Sequence, residues 1–225
     1  MSSSTTVYVL VEGTTEKIFI EKMLSRELWK RSVYLKPILL GGNISFNRAQ
    51  KDIRNFLHQR RDTYITTFVD YYGVKEWPGV DENIPSGMSP HAIAHHINEE
   101  TTAQIQKLFS DDVRACERFI PYMAIHEFEA LLFSDSEILS SKLGVCQKEI
   151  DAVLEEFKQE PEAINNNRLT APSKRLEKLV DGKYRKTTLG IGIAEAIGIP
   201  KMREKCPVFN EWLVRLENLR HEMTE

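Results

Sequence analysis

The ten residues VYVLVEGTTE, positions 7–16, decide the fold of this chain. Their first half is a short β-branched, apolar run, which is typical of a buried strand. The strand is expected to end at Glu12 and Gly13, and Glu16 then opens a segment with apolar residues at helical spacing. A buried strand that passes directly into an amphipathic helix indicates an α/β protein with a mostly parallel sheet.

Three further segments have strand character: residues 34–40, 64–69 and 119–125. Pro37 predicts either that the first of them is an edge strand or that it breaks near its middle, because proline cannot donate a ladder hydrogen bond. Helices are expected at 46–60 and for about twenty residues after Ser89, which precedes a proline as an N-cap residue would. Residues 71–88 are predicted to form a long loop. The fold class is therefore α/β, with a Rossmann-like, mostly parallel four-stranded sheet flanked by helices.

The pattern after residue 134 changes to helices alone. Candidate helices lie at 138–143, 147–158, 172–180, 189–197 and 208–219. We expect an α/β domain at 1–134 and a helical cap or extension, 135–225, packed on it.

Composition limits the classes of function. The chain of 225 residues has a formal net charge of -3, which disfavours a protein that merely coats nucleic acid but permits an enzyme with a local basic strip. The three cysteines have no CxxC or comparable spacing, so neither a disulfide framework nor a zinc knuckle is indicated. We find no signal peptide and no apolar run of membrane-spanning length, and we expect a cytoplasmic protein.

Acidic residues follow three of the predicted strands. Glu12 follows the first strand, Asp70 the third and Glu127 the fourth, and Glu16 lies one helical turn after Glu12. The carboxyl ends of parallel strands share one edge of a sheet, where ligands bind. Crowded carboxylates repel one another unless a cation compensates, and hard oxygen ligands without a thiol favour Mg²⁺ or Mn²⁺. The pattern indicates metal-assisted phosphoryl chemistry. Taken singly, each acid could instead be a turn or helix-start residue.

Basic residues are concentrated between positions 168 and 186. This segment is the best candidate for a strip that contacts a phosphate backbone, although a solvated helix face is the alternative. Lys174 or Lys186 could stabilise charge on the scissile phosphate. The basic residues are Arg168, Lys174, Arg175, Lys178, Lys183, Arg185 and Lys186.

Histidines offer two further candidates. His126 directly precedes Glu127 and could ligate a metal, carry a proton or orient the carboxylates. His91 and His95 have the i, i+4 spacing of zinc ligands, but no third ligand is evident and a structural role is favoured.

Several motifs carry a resemblance to known families. Val11 to Glu16 (VEGTTE) resembles the first motif of Toprim domains, the catalytic modules of topoisomerases, primases and the overcoming-lysogenization-defect nucleases. Phe68-Val69-Asp70 resembles the second motif, in which a strand ends in Asp-x-Asp. Over nearly its full length the chain also resembles a bacterial Toprim-like family catalogued as domain of unknown function 4276. The segments that match are VEGTTE (11–16), FVDYYGV (68–74), IHEFEALLFSD (125–135), APSKRLEKL (171–179) and the run from 206 to 213.

The resemblance implies a Toprim-like fold and a nuclease that depends on Mg²⁺ or Mn²⁺ and acts on DNA or RNA. Glu12, Asp70 and Glu127 would hold metal, with Glu16 and Glu129 completing or orienting the shell. It also implies an ABC- or AAA-type ATPase encoded nearby, in a setting of defence against phage, and leaves a homodimer open.

The chain departs from the Toprim pattern at one position. Tyr72 stands where the second aspartate of Asp-x-Asp is expected. Glu127, Glu129 or Asp81 could supply the missing ligand. If none does, the site holds a single metal or belongs to a binding or sensing subunit that has lost catalysis.

Overall fold

The computed structural model describes residues 4–41, 44–59, 62–80, 87–109, 113–164 and 170–219. Its main sheet is parallel throughout, and its strands follow the order β2-β1-β4-β6, with β7 also pairing with β4. The strands of this sheet are β1 (Thr5–Val11), β2 (Val33–Leu39), β4 (Thr63–Asp70), β6 (Phe119–Ile120) and β7 (Met123–Ala124). A separate parallel pair joins β3 (Ile44–Ser45) to β5 (Val74–Lys75), and β5 lies inside the predicted long loop. The predicted α/β class, the parallel sheet and the edge position of β2 are confirmed.

The prediction of one continuous strand over 119–125 is wrong. Pro121 and Tyr122 interrupt it, so that β6 and β7 make two short pairings with β4. Hydroxyl groups of β4 replace the missing ladder bonds: Thr66 donates to the Ile120 carbonyl (2.6 Å), and Thr67 bonds both the carbonyl and the N–H of Tyr122. Because proline has no N–H to donate, an uninterrupted strand is disfavoured here.

Helices surround the sheet and make up the C-terminal part of the chain. Helix α1 continues through a π-helical segment, Ile20–Leu24, into α2, and its N-cap is Gly13. Short 3₁₀ helices lie at Phe128–Ser134 and Pro161–Ala163, and a π-helical turn lies at Lys186–Gly190. The α-helices are α1 (Thr14–Phe19), α2 (Ser25–Trp29), α3 (Phe46–Gln59), α4 (Pro90–Leu108), α5 (Ala115–Arg118), α6 (Ser136–Leu143), α7 (Gln147–Glu156), α8 (Pro172–Leu179), α9 (Ile191–Ile197), α10 (Ile199–Lys205) and α11 (Pro207–Asn218).

The two faces of the sheet are covered by two apolar clusters. One joins β1 and α1 to the C-terminal helices, and within it the Phe68 ring lies 5.4 Å from that of Trp212 on α11. The other packs α3 and α4 against the opposite face, around Leu10 and Val69. The C-terminal helices therefore share a core with β1, which fixes their position relative to the strand ends. None of the helices in the described ranges is long and apolar enough to cross a membrane.

A buried carboxylate holds the start of α11. Glu162 accepts hydrogen bonds from the backbone N–H groups of Val208 and Phe209, both at 2.9 Å. Burial raises the pKa of Glu162 to about 7, and the two N–H donors oppose this shift without cancelling it. The folded protein therefore binds the Glu162 proton more tightly than the unfolded chain does.

The raised pKa predicts a pH-dependent stability. Because the native state holds the Glu162 proton more tightly, the free energy of unfolding should fall as the pH rises from about 4.5 to about 7. The total loss should reach about 3 kcal/mol. Glu162→Gln removes this titration. Between pH 5 and pH 8, the thermal midpoint should fall less in the variant than in the wild type. Exposed Glu160 provides the control, since Glu160→Gln should keep the wild-type pH dependence; an equal pH dependence in Glu162→Gln would contradict the assignment.

Candidate functional site

The carboxylate of Glu12 lies directly after β1, beside the end of β4. Val11 pairs with Phe68 across the sheet, so Glu12 emerges next to the last residues of β4. Its carboxylate accepts a hydrogen bond from the backbone of Asp70, while Oε2 is buried and has no partner among the described residues. Burial raises the pKa of Glu12, and the nearby charge of Glu16 raises it further. Most buried polar atoms in native proteins have a hydrogen-bond partner, so this oxygen is an exception among the described residues.

Gly73 gives the Glu12 side chain its room. A Cβ atom at this position would lie 2.1 Å from Glu12 Oε2 and 2.7 Å from Cδ. The Gly73 N–H closes a turn onto the Asp70 carbonyl (2.9 Å), so the glycine is held against both acids. A side chain at position 73 would therefore displace the Glu12 carboxylate.

Asp70 ends β4 and is almost completely buried. Its Oδ1 accepts a hydrogen bond from the backbone N–H of Phe128 (3.0 Å). Burial raises the pKa of Asp70 well above its usual value, and the charges of Glu16 and Glu129 add to the effect. The sequence prediction that Glu12 and Asp70 converge at one rim agrees with this geometry.

Glu127 is held by α8. Its two carboxylate oxygens accept from the backbone N–H of Ser173 (2.8 Å) and from the Ser173 hydroxyl (3.0 Å). Ser173 was not identified from the sequence, although it belongs to the APSKRLEKL segment that matches the family. The bond ties the C-terminal helices to the rim of the sheet.

Glu129 is fully buried and meets Lys186. The Lys186 ammonium lies 3.0 Å from the Glu129 carboxylate, and the Tyr184 hydroxyl donates to it at 3.4 Å. Burial raises the pKa of Glu129 to about 7, although Lys186 opposes the shift. Burial lowers the pKa of Lys186, but the charges of Glu129, Asp70 and Glu127 outweigh this and raise it. Lys186 is thus a cation held among the acids that follow the strands, which together form an acidic crevice (Glu12, Glu16, Asp70, Glu127 and Glu129).

Glu16 is the fifth carboxylate. It is 5% exposed, and its Oε2 accepts from the Gly13 N–H (2.9 Å), which fixes the turn between β1 and α1. Its charge acts on both Glu12 and Asp70. The predicted position of Glu16, facing the same crevice one turn after Glu12, agrees with these interactions.

His126 and Tyr72 form the aromatic side of the crevice. Their rings stack with centroids 5.5 Å apart, and His126 has a left-handed backbone with φ of 72°. A non-glycine residue in this region is strained, and such strain is often retained at functional sites. His126 Nδ1 is buried without a partner in the described part of the chain, and burial lowers the pKa of His126 to about 4. A neutral imidazole is therefore expected near neutral pH.

The predicted basic strip is only partly directed at the crevice. Lys174 pairs with Glu177 on its own helix (2.7 Å), and Arg175 forms a bidentate pair with Glu156. Exposed Arg185 donates to backbone carbonyls, and Lys178 and Lys183 are also exposed. Arg168 and Asp81 lie outside the described residues. Of the predicted strip, Lys186 is the residue that contacts a crevice carboxylate, and the phosphate-binding role of the others stays a prediction.

The crevice carries an excess of negative charge. Five interacting carboxylates (Glu12, Glu16, Asp70, Glu127 and Glu129) face one lysine in the described part of the chain. No three His, Cys, Asp or Glu side chains within the described ranges are arranged to hold a metal ion. Glu127 is instead bonded to Ser173, and Glu129 to Lys186. Mg²⁺, however, is commonly bound by one or two carboxylates together with waters and substrate phosphates, and Glu12 and Asp70 fit that mode.

The fold and the crevice define an α/β protein whose parallel sheet carries buried carboxylates at the carboxyl ends of its strands. The model of the family described as Domain of unknown function (DUF4276) matches residues 11–217, and the chain belongs to this family. The family resemblance seen in the sequence is confirmed, while a wider relationship to Toprim domains stays a prediction. Neither a curated protein nor a solved structure matches the chain.

Proposed function

We propose that the chain is a divalent-cation-dependent nuclease of Toprim type that hydrolyses phosphodiester bonds of DNA or RNA. The observation that carries the proposal is the buried, unpartnered Oε2 of Glu12 beside the buried carboxylate of Asp70. Both groups have raised pKa values, because burial and neighbouring carboxylates disfavour their charged forms. A cation would relieve that cost.

Glu12 and Asp70 would hold Mg²⁺ or Mn²⁺, with Glu127 and Glu129 as the further candidates from the sequence. The ion would activate water and neutralise charge on the phosphate. The other groups act as positioning elements: the Asp70 backbone and Gly73 fix Glu12, and the Phe128 N–H fixes Asp70. Lys186 would donate to a phosphate oxygen once that oxygen competes with Glu129 for its ammonium group.

The biological setting rests on the family resemblance described from the sequence, which supports a role in defence against phage beside an ABC- or AAA-type ATPase. The cytoplasmic location is the separate expectation from the sequence, which has neither a recognisable signal peptide nor an apolar run of membrane-spanning length. A homodimer is compatible with such a complex. The candidate strip of Arg168, Lys174, Arg175, Lys178, Arg185 and Lys186 would then contact the nucleic acid.

A second function is favoured by two observations. Tyr72 replaces the second aspartate of the Toprim pattern, and Glu127 and Glu129 are bonded to protein groups. A binding or sensing subunit without catalysis, working beside an ATPase, would have such a site. Metal affinity distinguishes the two functions, because a site that has lost its chemistry needs no ion.

Asp70→Asn tests the metal site. The asparagine Oδ1 can still accept from Phe128, so we expect a folded variant that has lost the carboxylate. Titration calorimetry should show Mn²⁺ binding to wild type that weakens at least about tenfold in the variant, since a carboxylate ligand is removed. Labelled DNA and RNA, single-stranded and duplex, should be cleaved with Mn²⁺ or Mg²⁺ and not with EDTA.

The results separate the proposals. Cleavage that persists in the double variant Glu12→Gln/Asp70→Asn would refute the nuclease assignment at this crevice. Wild-type protein that binds no Mn²⁺ and cleaves nothing would leave the binding-subunit function as the better account.

A further inference from the structure

Two exposed aromatic rings lie side by side at the open edge of the main sheet. Trp29, at the end of α2, is 64% exposed, and Tyr34, the second residue of β2, is 36% exposed. Their ring centroids lie 5.6 Å apart, with an interplanar angle of 47°. Within the described sheet β2 pairs with β1 alone, so its other side is an edge. The two rings therefore present open aromatic surface to solvent.

The turn between α2 and β2 holds the two rings in place. The Ser32 N–H donates to the Trp29 carbonyl (2.7 Å), and the Ser32 carbonyl accepts from the Thr5 N–H at the start of β1 (3.0 Å). Because the backbone between the rings is hydrogen-bonded to both neighbouring elements, the aromatic pair is formed without a ligand.

Three exposed cations lie beside this aromatic pair. Arg26 precedes Trp29 by three residues on α2 and so shares its helix face. Arg31 lies in the turn, and Lys36 follows Tyr34 by two residues, on the same face of the strand. None of the three cations has a carboxylate partner in the parts of the chain that the structure describes.

The segment 26–36 contains one acid, Glu27, and it is neutralised locally. Glu27 accepts from the Lys30 ammonium at 2.7 Å. In a chain with a net charge of -3, the surface around the two rings is therefore a local excess of positive charge.

This combination of groups selects a polyanion that carries flat rings. Proteins bind single-stranded nucleic acid in this way, with aromatic side chains that stack on bases and cations that contact phosphates. The bases of a duplex are already stacked on one another and are closed to such rings. A second copy of this chain is disfavoured, because a symmetric contact would place the cations of one surface against the same cations of the other.

The edge strand leads from this surface to the rim that carries the acids. Tyr34 pairs with Thr6 near the start of β1, and Leu39 pairs with Val11, directly before Glu12. Five residue steps along a strand cover roughly 17 Å. A nucleic-acid strand held at the rings can therefore follow β2 to the acidic crevice within several nucleotides.

We propose that Trp29 and Tyr34, together with Arg26, Arg31 and Lys36, form a binding surface for single-stranded nucleic acid outside the acidic crevice. Bases stack on the two rings, and phosphates contact the three cations. Its role in holding substrate rests on the proposed nuclease function, whereas the binding itself needs neither a metal nor cleavage. The two proposals can therefore fail separately.

The fluorescence of Trp29 reports on this surface. The other two tryptophans of the chain, Trp77 and Trp212, are buried, so Trp29 is the one that a base can reach. Titration of the full chain with a ten-nucleotide oligothymidylate in EDTA should quench this fluorescence. Inorganic polyphosphate of equal charge carries no bases and should leave it nearly unchanged. Duplex DNA should bind at least about fivefold more weakly than the single strand.

Variants of Trp29 test the stacking. By fluorescence anisotropy of a labelled oligothymidylate, Trp29→Ala should weaken binding at least about fivefold, while Trp29→Phe, which keeps a ring, should retain most of the affinity. The indole is mostly exposed, so neither change removes a core side chain. Val214→Ala is the matched control, because Val214 is an exposed apolar residue on α11, and it should bind as wild type does.

The salt dependence of binding tests the cations. Arg31→Gln should reduce the slope of log affinity against log salt concentration by about 0.7, the contribution of one phosphate contact on a single strand. Lys148→Gln removes an exposed cation from α7 and should leave the slope unchanged.

The outcomes separate this surface from its alternatives. Absence of quenching by oligothymidylate, or an affinity that Trp29→Ala leaves unchanged, would overturn the proposal. Equal quenching by polyphosphate would do the same, since it would leave only a site for charge. A blue shift with phosphatidylserine vesicles in place of oligonucleotide binding would assign the surface to a membrane. Oligothymidylate binding without cleavage under any metal condition would support the surface and count against the nuclease alone.

Discussion

Glu12→Gln should abolish divalent-dependent cleavage while leaving the protein folded. The change replaces one oxygen of a carboxylate that accepts a bond from the Asp70 backbone and leaves the amide carbonyl to accept it. We expect a fall in cleavage rate of roughly two to three orders of magnitude, the usual loss when one group that stabilises the transition state is removed. Single-turnover cleavage of a labelled oligonucleotide with Mn²⁺ measures this effect.

The thermal stability of Glu12→Gln should not fall with its cleavage rate. Burial and the charge of Glu16 already disfavour the ionised form of Glu12, so a neutral amide should leave the thermal midpoint unchanged or raise it. Glu21→Gln is the matched control, because Glu21 is an exposed glutamate on the adjoining helical segment, paired with Lys17 at 3.8 Å. Wild-type cleavage by Glu12→Gln would remove Glu12 from the mechanism, and a large loss of stability would assign it a structural role.

Gly73→Ala should disable the site, although Gly73 is not one of the proposed metal ligands. The added methyl group would lie 2.1 Å from Glu12 Oε2, so the carboxylate must leave its position. We expect Mn²⁺ affinity to fall at least about tenfold and cleavage about a hundredfold, since small misplacements of reacting groups have effects of this size. Crowding should cost about 1–3 kcal/mol of stability.

The positioning role of Gly73 can be separated from simple destabilisation. Gly192→Ala is the control, because its added Cβ would meet no atom within 4 Å among the described residues outside its own helical turn. It should raise stability by about 0.5–1 kcal/mol within α9. Combining Gly73→Ala with Glu12→Asp shortens the displaced side chain and should restore part of the Mn²⁺ affinity. A double variant that is no better than either single variant would argue against direct contact between the two residues.

The sequence predicted the part of the site that depends on strand order. Glu12 and Asp70 each follow a continuous β-branched run, and parallel strands bring their carboxyl ends to one rim. Pro121 inside the segment 119–125 was the signal that this strand would be interrupted. Helix α10 was not predicted from the sequence, because four of its seven residues are charged and its apolar pattern is short.

The contacts made by the C-terminal helices could not be predicted from spacing. Ser173 lies 46 residues from Glu127, and Lys186 lies 57 residues from Glu129, so neither pair is linked by helical or strand periodicity. Gly73 resembled an ordinary loop glycine. The only hint in the sequence was its position three residues after Asp70. The reason for a glycine there, its contact with the Glu12 carboxylate, is visible only in the structure.

The anchoring of Glu127 by Ser173 and of Glu129 by Lys186 has a consequence for biosynthesis. The ribosome completes the strands before it makes either anchoring residue, and at about 5–20 residues per second the delay lasts several seconds. During this interval the nascent sheet bears its acids without the lysine that later balances them. Glu127 and Glu129 therefore gain their anchoring contacts only after Ser173 and Lys186, both in the last third of the polypeptide, have been translated.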